Sequence, residues 1–233
     1  MSSGSASDRL LRSPDDRFAA RLSERRSSLA LQEKLIRQER SNLDAAFQRL
    51  LAEGSVVQAA GAVVAARRRF VSGSGKSLAY ATLLAADLGA GVSGVTLVDD
   101  ATVRMVDVLT EVRSSDVLVV FSLRRYRRNT VQFAAGFAAA GGTVVAITDE
   151  PDSPVARVAQ SVVVVPTESA SFADSPTAVA AVCHLLSTLV TASAKGARRR
   201  LADRDRVARE LELYTEETPA PGEAGRRRPQ GRT

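Results

Sequence analysis

The chain of 233 residues has one cysteine, one histidine, no tryptophan and only 4% aromatic residues. A single cysteine, Cys183, excludes an intramolecular disulfide and any cysteine-cluster metal site. It fits a reducing cytosol, so a cytoplasmic location is expected. So few rings argue against an aromatic stacking platform for single-stranded nucleic acid. No apolar run approaches the length of a membrane span, and the opening MSSGSASDRLLRSPDD lacks the apolar core of a secretory signal. No membrane partner is therefore expected. The stretch SGSGKS, Ser72–Ser77, ends like a P-loop, but the glycine required five positions before Gly75 is Phe70. Phe70 belongs to an apolar run that reads as a strand, so the loop is too short to circle a β-phosphate. No metal and no cofactor are expected.

Hydrophobic residues make up 45% and charged residues 25%, as in one main globular domain with extensions. The net charge of +6, from 32 Lys+Arg against 26 Asp+Glu, sits in clusters: Arg67–Arg69, Arg124–Arg125, Arg127–Arg128, Arg198–Arg200 and Arg226–Arg228. A charge run is by default a solvated face, so position along the chain decides which cluster carries function.

Residues 1–28 read as a disordered N-terminal segment, and 218–233, containing PAPGEAGRRRPQGRT, as a disordered basic tail. Apolar spacing predicts linker helices over 29–66, the first from Leu29 to Ala52 and the second capped by Ser55. Residues 67–192 alternate short β-branched runs with helical stretches. Strands are predicted at Arg69–Ser72, Gly94–Val98, Asp116–Ser122, Thr143–Thr148 and Ser161–Pro166. Helices are predicted at Ser77–Leu88, Thr102–Val112, Thr130–Ala140 and Ser153–Ala159. The runs VLVVF, TVVAIT and SVVVV are apolar without alternation, as in strands covered on both faces. Strand, helix, strand at this spacing means βαβ units and a parallel sheet, an α/β fold. A long helix from about Pro176, bent near Gly196, leads into a C-terminal helix within 193–217.

In a doubly wound sheet, ligands bind beyond the carboxyl ends of the strands, where strand order reverses. With the flavodoxin-like order 2-1-3-4-5, that crevice lies between strands 1 and 3. The loop after strand 1 offers Gly73, Gly75, three hydroxyls (Ser72, Ser74, Ser77), Lys76 and a helix N-terminus. The loop after strand 3, SLRRYRRNT, offers Ser122, four arginines and Tyr126 before another helix N-terminus. Free N–H groups and the helix dipole favour an anion, and arginine binds phosphate bidentately. Together the loops point to a small phosphorylated ligand.

These loops, followed by GGTVVAITDEPDSPVARVAQSVVVVPTES and SFADSPTAVAAVCHLL, resemble the sugar isomerase (SIS) domain as found in MurR/RpiR-type bacterial transcriptional regulators. The resemblance runs from about Glu39 to Tyr214. It implies a three-layer sandwich with a five-stranded parallel sheet, homodimers, and recognition of phosphosugars. It implies ligand contacts from Ser74, Ser77 and Ser122, with Gly73 and Gly75 shaping the turn and Glu168 at the sugar. Two hydroxyl positions of the family pattern are arginines here, Arg124 and Arg127. Regulators of this type also carry an N-terminal helix-turn-helix of about 75 residues; no three-helix unit fits within 1–28.

Three functions follow for comparison. The first is a non-catalytic sensor of a phosphorylated sugar or related anion. The second is an aldose–ketose phosphate isomerase, which needs a base at the sugar; Glu168, Asp174 and His184 are the candidates, Glu168 foremost. His184, alongside Thr188 and away from the Leu185–Leu189 stripe, reads as an ordinary helix-surface or interface residue. The third is a DNA-binding regulator. Without a recognition helix, its arginines are expected to touch phosphates only, without sequence preference.

Overall fold

The computed structural model describes residues 13–22 and 27–215. Residues 1–12 and the basic tail read at 218–233 lie outside the described residues. Five strands, β1 (Arg68–Gly73), β2 (Val95–Val98), β3 (Asp116–Ser122), β4 (Thr143–Thr148) and β5 (Ser161–Val164), form one parallel sheet in the order β2-β1-β3-β4-β5. The order reverses between β1 and β3, as expected for a flavodoxin-like sheet.

Helices cover both faces. Helices α1 (Pro14–Leu22), α2 (Ser28–Glu53) and α3 (Ser55–Ala65) precede the sheet. Helices α4 (Lys76–Gly91), α5 (Met105–Leu109) and α6 (Arg128–Ala139) lie between strands, and α7 (Thr177–Ser193) and α8 (Ala197–Glu210) follow it. Strand residues alternate between two cores. Val71, Val117, Val119, Phe121, Val145, Ile147 and Val163 pack with α3, α4 and α7. Phe70, Leu118, Val120, Val144 and Ala146 pack with α5 and α6 through Met105, Val108, Phe133 and Phe137. Phe137 meets Phe70 edge to face at 5.7 Å. Among the described residues no single helix is long and apolar enough to cross a membrane.

Several expectations need correction. Part of the segment read as disordered, Pro14–Leu22, is helical. Ser13 Oγ accepts from Asp16 N–H at 2.9 Å, and the Asp16 carboxylate accepts from Ser13 N–H at 2.9 Å. This reciprocal box, with Pro14 in the first turn, starts the helix. Ser55 is not the cap of α3: Gly54 is, at φ +62, and Ser55 Oγ is buried without a partner. The helix expected over Thr102–Val112 shrinks to five residues. Asp99 Oδ1 accepts from Ala101, Thr102 and Val103 at 2.8–3.1 Å and commits that stretch to a turn. Those bonds hold the Asp99 carboxyl down to about 2. The segment Ser153–Ala159 contains only a 3₁₀ turn at Ala156–Val158, because Ser153 Oγ is tied back to Thr148 Oγ1 at 2.9 Å. In α7 the buried stripe runs through Val182, Leu186 and Val190, not Leu185–Leu189; Leu185 is exposed.

Two arginines of the first cluster, Arg68 and Arg69, are structural. Arg68 grips the buried Asp116 with two bonds, Nε–H to Oδ1 at 3.1 Å and a terminal N–H to Oδ2 at 2.6 Å. Arg69 donates to the carbonyls of Val63 and Val64 at the end of α3, at 2.7 and 3.1 Å, and to Ser93 O at 2.9 Å. A buried guanidinium here satisfies carbonyls that a helix end leaves open.

Candidate functional site

The parallel pairing sets Gly73 beside Phe121, one residue before Ser122. The loops after β1 and β3 therefore leave the sheet side by side, at the point where strand order reverses. Their contact is direct. Thr130 Oγ1 donates to Ser74 Oγ at 2.9 Å. The Arg127 guanidinium packs on Gly75, where a Cβ would meet it at 2.9–3.2 Å. Gly75 has φ +63, a conformation glycine adopts freely. Gly73 is needed for closeness: a Cβ there would stand 2.6 Å from the backbone oxygen of Ser77.

Two helices begin at this junction, α4 at Lys76 and α6 at Arg128, and neither has a side-chain cap hydrogen bond. Their first-turn N–H groups and dipoles make the place favourable to an anion. Ser77 is buried in the first turn of α4, and Ser122 Oγ is buried with no partner. The Arg127 side chain has no hydrogen bond or ion pair among the described residues; its main-chain oxygen accepts from Val131 N–H at 3.2 Å. Arg124 is spent otherwise: its main-chain N–H donates to Asp149 Oδ2 at 3.3 Å, and its guanidinium lies 3.4 Å from Asp149 and 3.8 Å from Glu150. Burial first, and then the Asp149 carboxylate, push the Tyr126 phenol up.

Of the residues named from the sequence, Gly73, Ser74, Gly75, Ser77, Ser122 and Arg127 come together. Arg124 stands at the edge, turned to carboxylates. Glu168 is exposed on the loop after β5. Its main-chain oxygen accepts from Asn42 Nδ2 at 2.6 Å, and no bond joins its carboxylate to either loop among the described residues. Asp174 is paired with Arg17 of α1, and its main-chain oxygen accepts from Lys76 Nζ at 2.5 Å. His184 is exposed on α7.

The sequence reading missed four neighbours of the site. Thr130 bridges the loops. Asn42 positions the 165–176 loop, and Glu39 accepts from Ser175 Oγ at 2.5 Å. Tyr80 lies on Phe121, its phenol pushed up to about 12 by burial first, then by Asp174. None carries a local motif; each is brought in by tertiary packing. Among the described residues no group of three or more His, Cys, Asp or Glu could hold a metal.

The comparisons agree with this geometry. The SIS domain family model matches residues 63–189. No curated protein matches the chain significantly. Among solved structures, the sugar isomerase domain of an RpiR transcription factor from Sphaerobacter thermophilus is 27% identical. It covers 79% of this chain and 99% of its own, with a TM-score of 0.69. The NanR protein of Vibrio vulnificus, solved with ManNAc-6P, is 14% identical, with 81% of this chain and 74% of that one covered and a TM-score of 0.64. A Methanococcus jannaschii protein for which a 3-hexulose-6-phosphate isomerase function has been inferred is 14% identical. There the coverage is 74% and 96%, and the TM-score 0.55. With the family model spanning more than half of the chain, and with this sheet order and paired loops, the chain belongs to the SIS domain family, its module being of the MurR/RpiR type.

Proposed function

We propose that the chain binds a phosphorylated sugar in the crevice between residues 73–77 and 122–130 and serves as a ligand sensor of the RpiR type. One observation carries the reading. The Arg127 guanidinium lies on Gly75 at the meeting of two uncapped helix N-termini, with no counter-charge among the described residues. Like charges converging in this way are costly without an anion between them, and a phosphate is the anion that such donors fit. Gly73 and Gly75 shape the cradle; Ser74, Ser77, Ser122 and Arg127 supply donors. Arg124, bound to Asp149, frames the site.

Sensing is favoured over isomerisation. A base must reach the sugar at C1 or C2, and no candidate is both free and placed there. Glu168 and His184 are exposed, and Asp174 is held by Arg17 and Lys76. Calorimetric and thermal-shift screening of phosphosugars is expected to find a binder, and Ser77→Leu is expected to abolish its binding by filling the cradle. Unchanged affinity in that variant would put the site elsewhere.

Helix α2 leaves Leu29, Ile36, Phe47 and Leu51 exposed, and α3 adds Val57. So much apolar surface beside a ligand crevice suits a subunit interface, and the chain is proposed to be a homodimer. Light scattering at micromolar concentration is expected to give twice the chain mass; a monomer would remove this part of the reading.

A further inference from the structure

A second cavity lies at the far end of the sheet from the crevice. Arg69, near the start of β1, and Ser93, just before β2, border it, whereas Gly73 ends β1 at the crevice. Its volume is about 550 Å³, within the roughly 300–1,000 Å³ usual for small-molecule sites. Three cations, Arg69, Lys195 and Arg200, line it, and no acidic side chain among the described residues does. Arg69 is 8% exposed and gives its N–H groups to main-chain oxygens only. Burial, with no carboxylate to oppose it, pulls this guanidinium below its ordinary value. Arg200 donates to Gly89 O from its Nε–H and a terminal N–H, both at 3.3 Å. The Lys195 side chain is exposed and has no bond among the described residues.

Cations at such a place have an ordinary task. Helices α3, α4 and α7 all end at the cavity, with Val64, Gly91 and Ser193 on its wall, and basic side chains satisfy C-terminal carbonyls. Magnitudes show that this task leaves charge over. A helix end carries about half an elementary charge, so three C-termini bring roughly −1.5 against three whole positive charges. The N-terminus of α8 adds about half a positive charge. Its cap, Gly196, lies on the wall at φ +81 and makes no side-chain cap bond. The surplus is roughly two positive charges.

We infer that this cavity is a second anion site, separate from the crevice, and that it takes the dianion of a phosphate monoester. Such a group carries about −1.5 to −2 near neutral pH, which matches the surplus; a monoanion would leave half of it. Lys195 and Arg200 bind its oxygens, and the first-turn N–H groups of Arg198 and Arg199 donate to them. Arg69 keeps its carbonyls and contributes charge. Val64, Val92 and Ala194 offer an apolar wall for the carbon body of the ester.

Amide NMR on the full chain, titrated at constant ionic strength with inorganic phosphate, the group common to all such ligands, tests this. The amides of Ser93, Arg198 and Arg199 are expected to move saturably in phosphate and not in chloride. Replacing the two exposed cations together, Lys195→Gln with Arg200→Gln, should weaken that response roughly tenfold or more. The remaining amide spectrum should be unchanged, which damage to the fold would not allow. Arg127→Glu, which disables the crevice, should leave the response as in the wild type. If these amides stay still in phosphate, move equally in chloride, or respond as strongly in the double variant, the three cations only close helix ends and the inference is overturned. So it is if the response disappears with Arg127→Glu. The crevice reading uses other residues and stands or falls by its own titration.

Discussion

Replacing Arg127 by serine is expected to weaken phosphosugar binding by roughly tenfold to a hundredfold, because a hydrogen bond to a charged group contributes about 1.5–3 kcal/mol. Arg127→Glu should leave no measurable binding. Neither change should lower the melting temperature, since Arg127 is exposed and forms no ion pair among the described residues. The serine variant is the informative one. Serine restores the hydroxyl that the family resemblance places at this position, so it separates two physical roles for the guanidinium. As a ligand contact, its loss weakens binding and flattens the salt dependence. As a plug on Gly75, its loss tightens binding. Titration of one phosphosugar into both proteins at two salt concentrations gives the sign.

The second large effect concerns stability. Arg68→Ala is expected to cost about 3–5 kcal/mol, the usual result of stripping one partner from a buried ion pair. Asp116 has a side chain only 1% exposed and would be left with the Arg113 N–H at 2.8 Å. For a protein of this size that is a fall of roughly 10 °C or more in Tm. The pH dependence should weaken as well. In the wild type, burial works to raise the Asp116 pKa, but the Arg68 and Arg113 hydrogen bonds and the Arg68 charge outweigh it and hold the carboxyl low. A lowered folded pKa gives stability that is full above the unfolded value of about 3.9 and is lost as pH falls through the folded one. Without Arg68, burial is opposed only by the Arg113 hydrogen bond and charge, so the folded pKa should rise toward the unfolded one. The deficit of the variant should then shrink on acidification from neutral pH. Denaturant titrations across that range check both slopes; a variant with wild-type slope would show that Arg68 does not hold Asp116.

The sheet was legible because its signals are local. Asp116–Ser122 and Thr143–Thr148 read as strands end to end, since uninterrupted apolar runs bounded by polar residues leave little choice. The loops of the crevice were legible for the same reason. Where the reading failed, a side chain had captured the backbone. Asp99 folded Ala101, Thr102 and Val103 into a turn around its carboxylate, and Ser153 was drawn to Thr148. The Ser13-x-x-Asp16 box was in plain sight and announced α1, but the polar composition around it outweighed it. The four arginines after β3 could not be ranked from sequence at all. Arg124 is neutralised because Ser122 lies beside Thr148, which brings Asp149 to it. That follows from strand order, which no window of residues contains.

All seven residues of β3 are buried, and this has a consequence for strand pairing. In a sheet with one wet face, a slip of one residue carries apolar side chains into water, and hydrophobicity alone fixes the register. In β3 a one-residue slip would exchange one apolar core for the other, Val117, Val119 and Phe121 trading places with Leu118 and Val120. The penalty would be poor fit rather than exposure. A slip of two would keep even the faces. What forbids both is polar: Asp116 at one end must meet Arg68, and Ser122 at the other must offer its carbonyl to Thr148 Oγ1 at 2.8 Å. The central strand is thus aligned by its two ends, and the same alignment sets the mouth of the crevice.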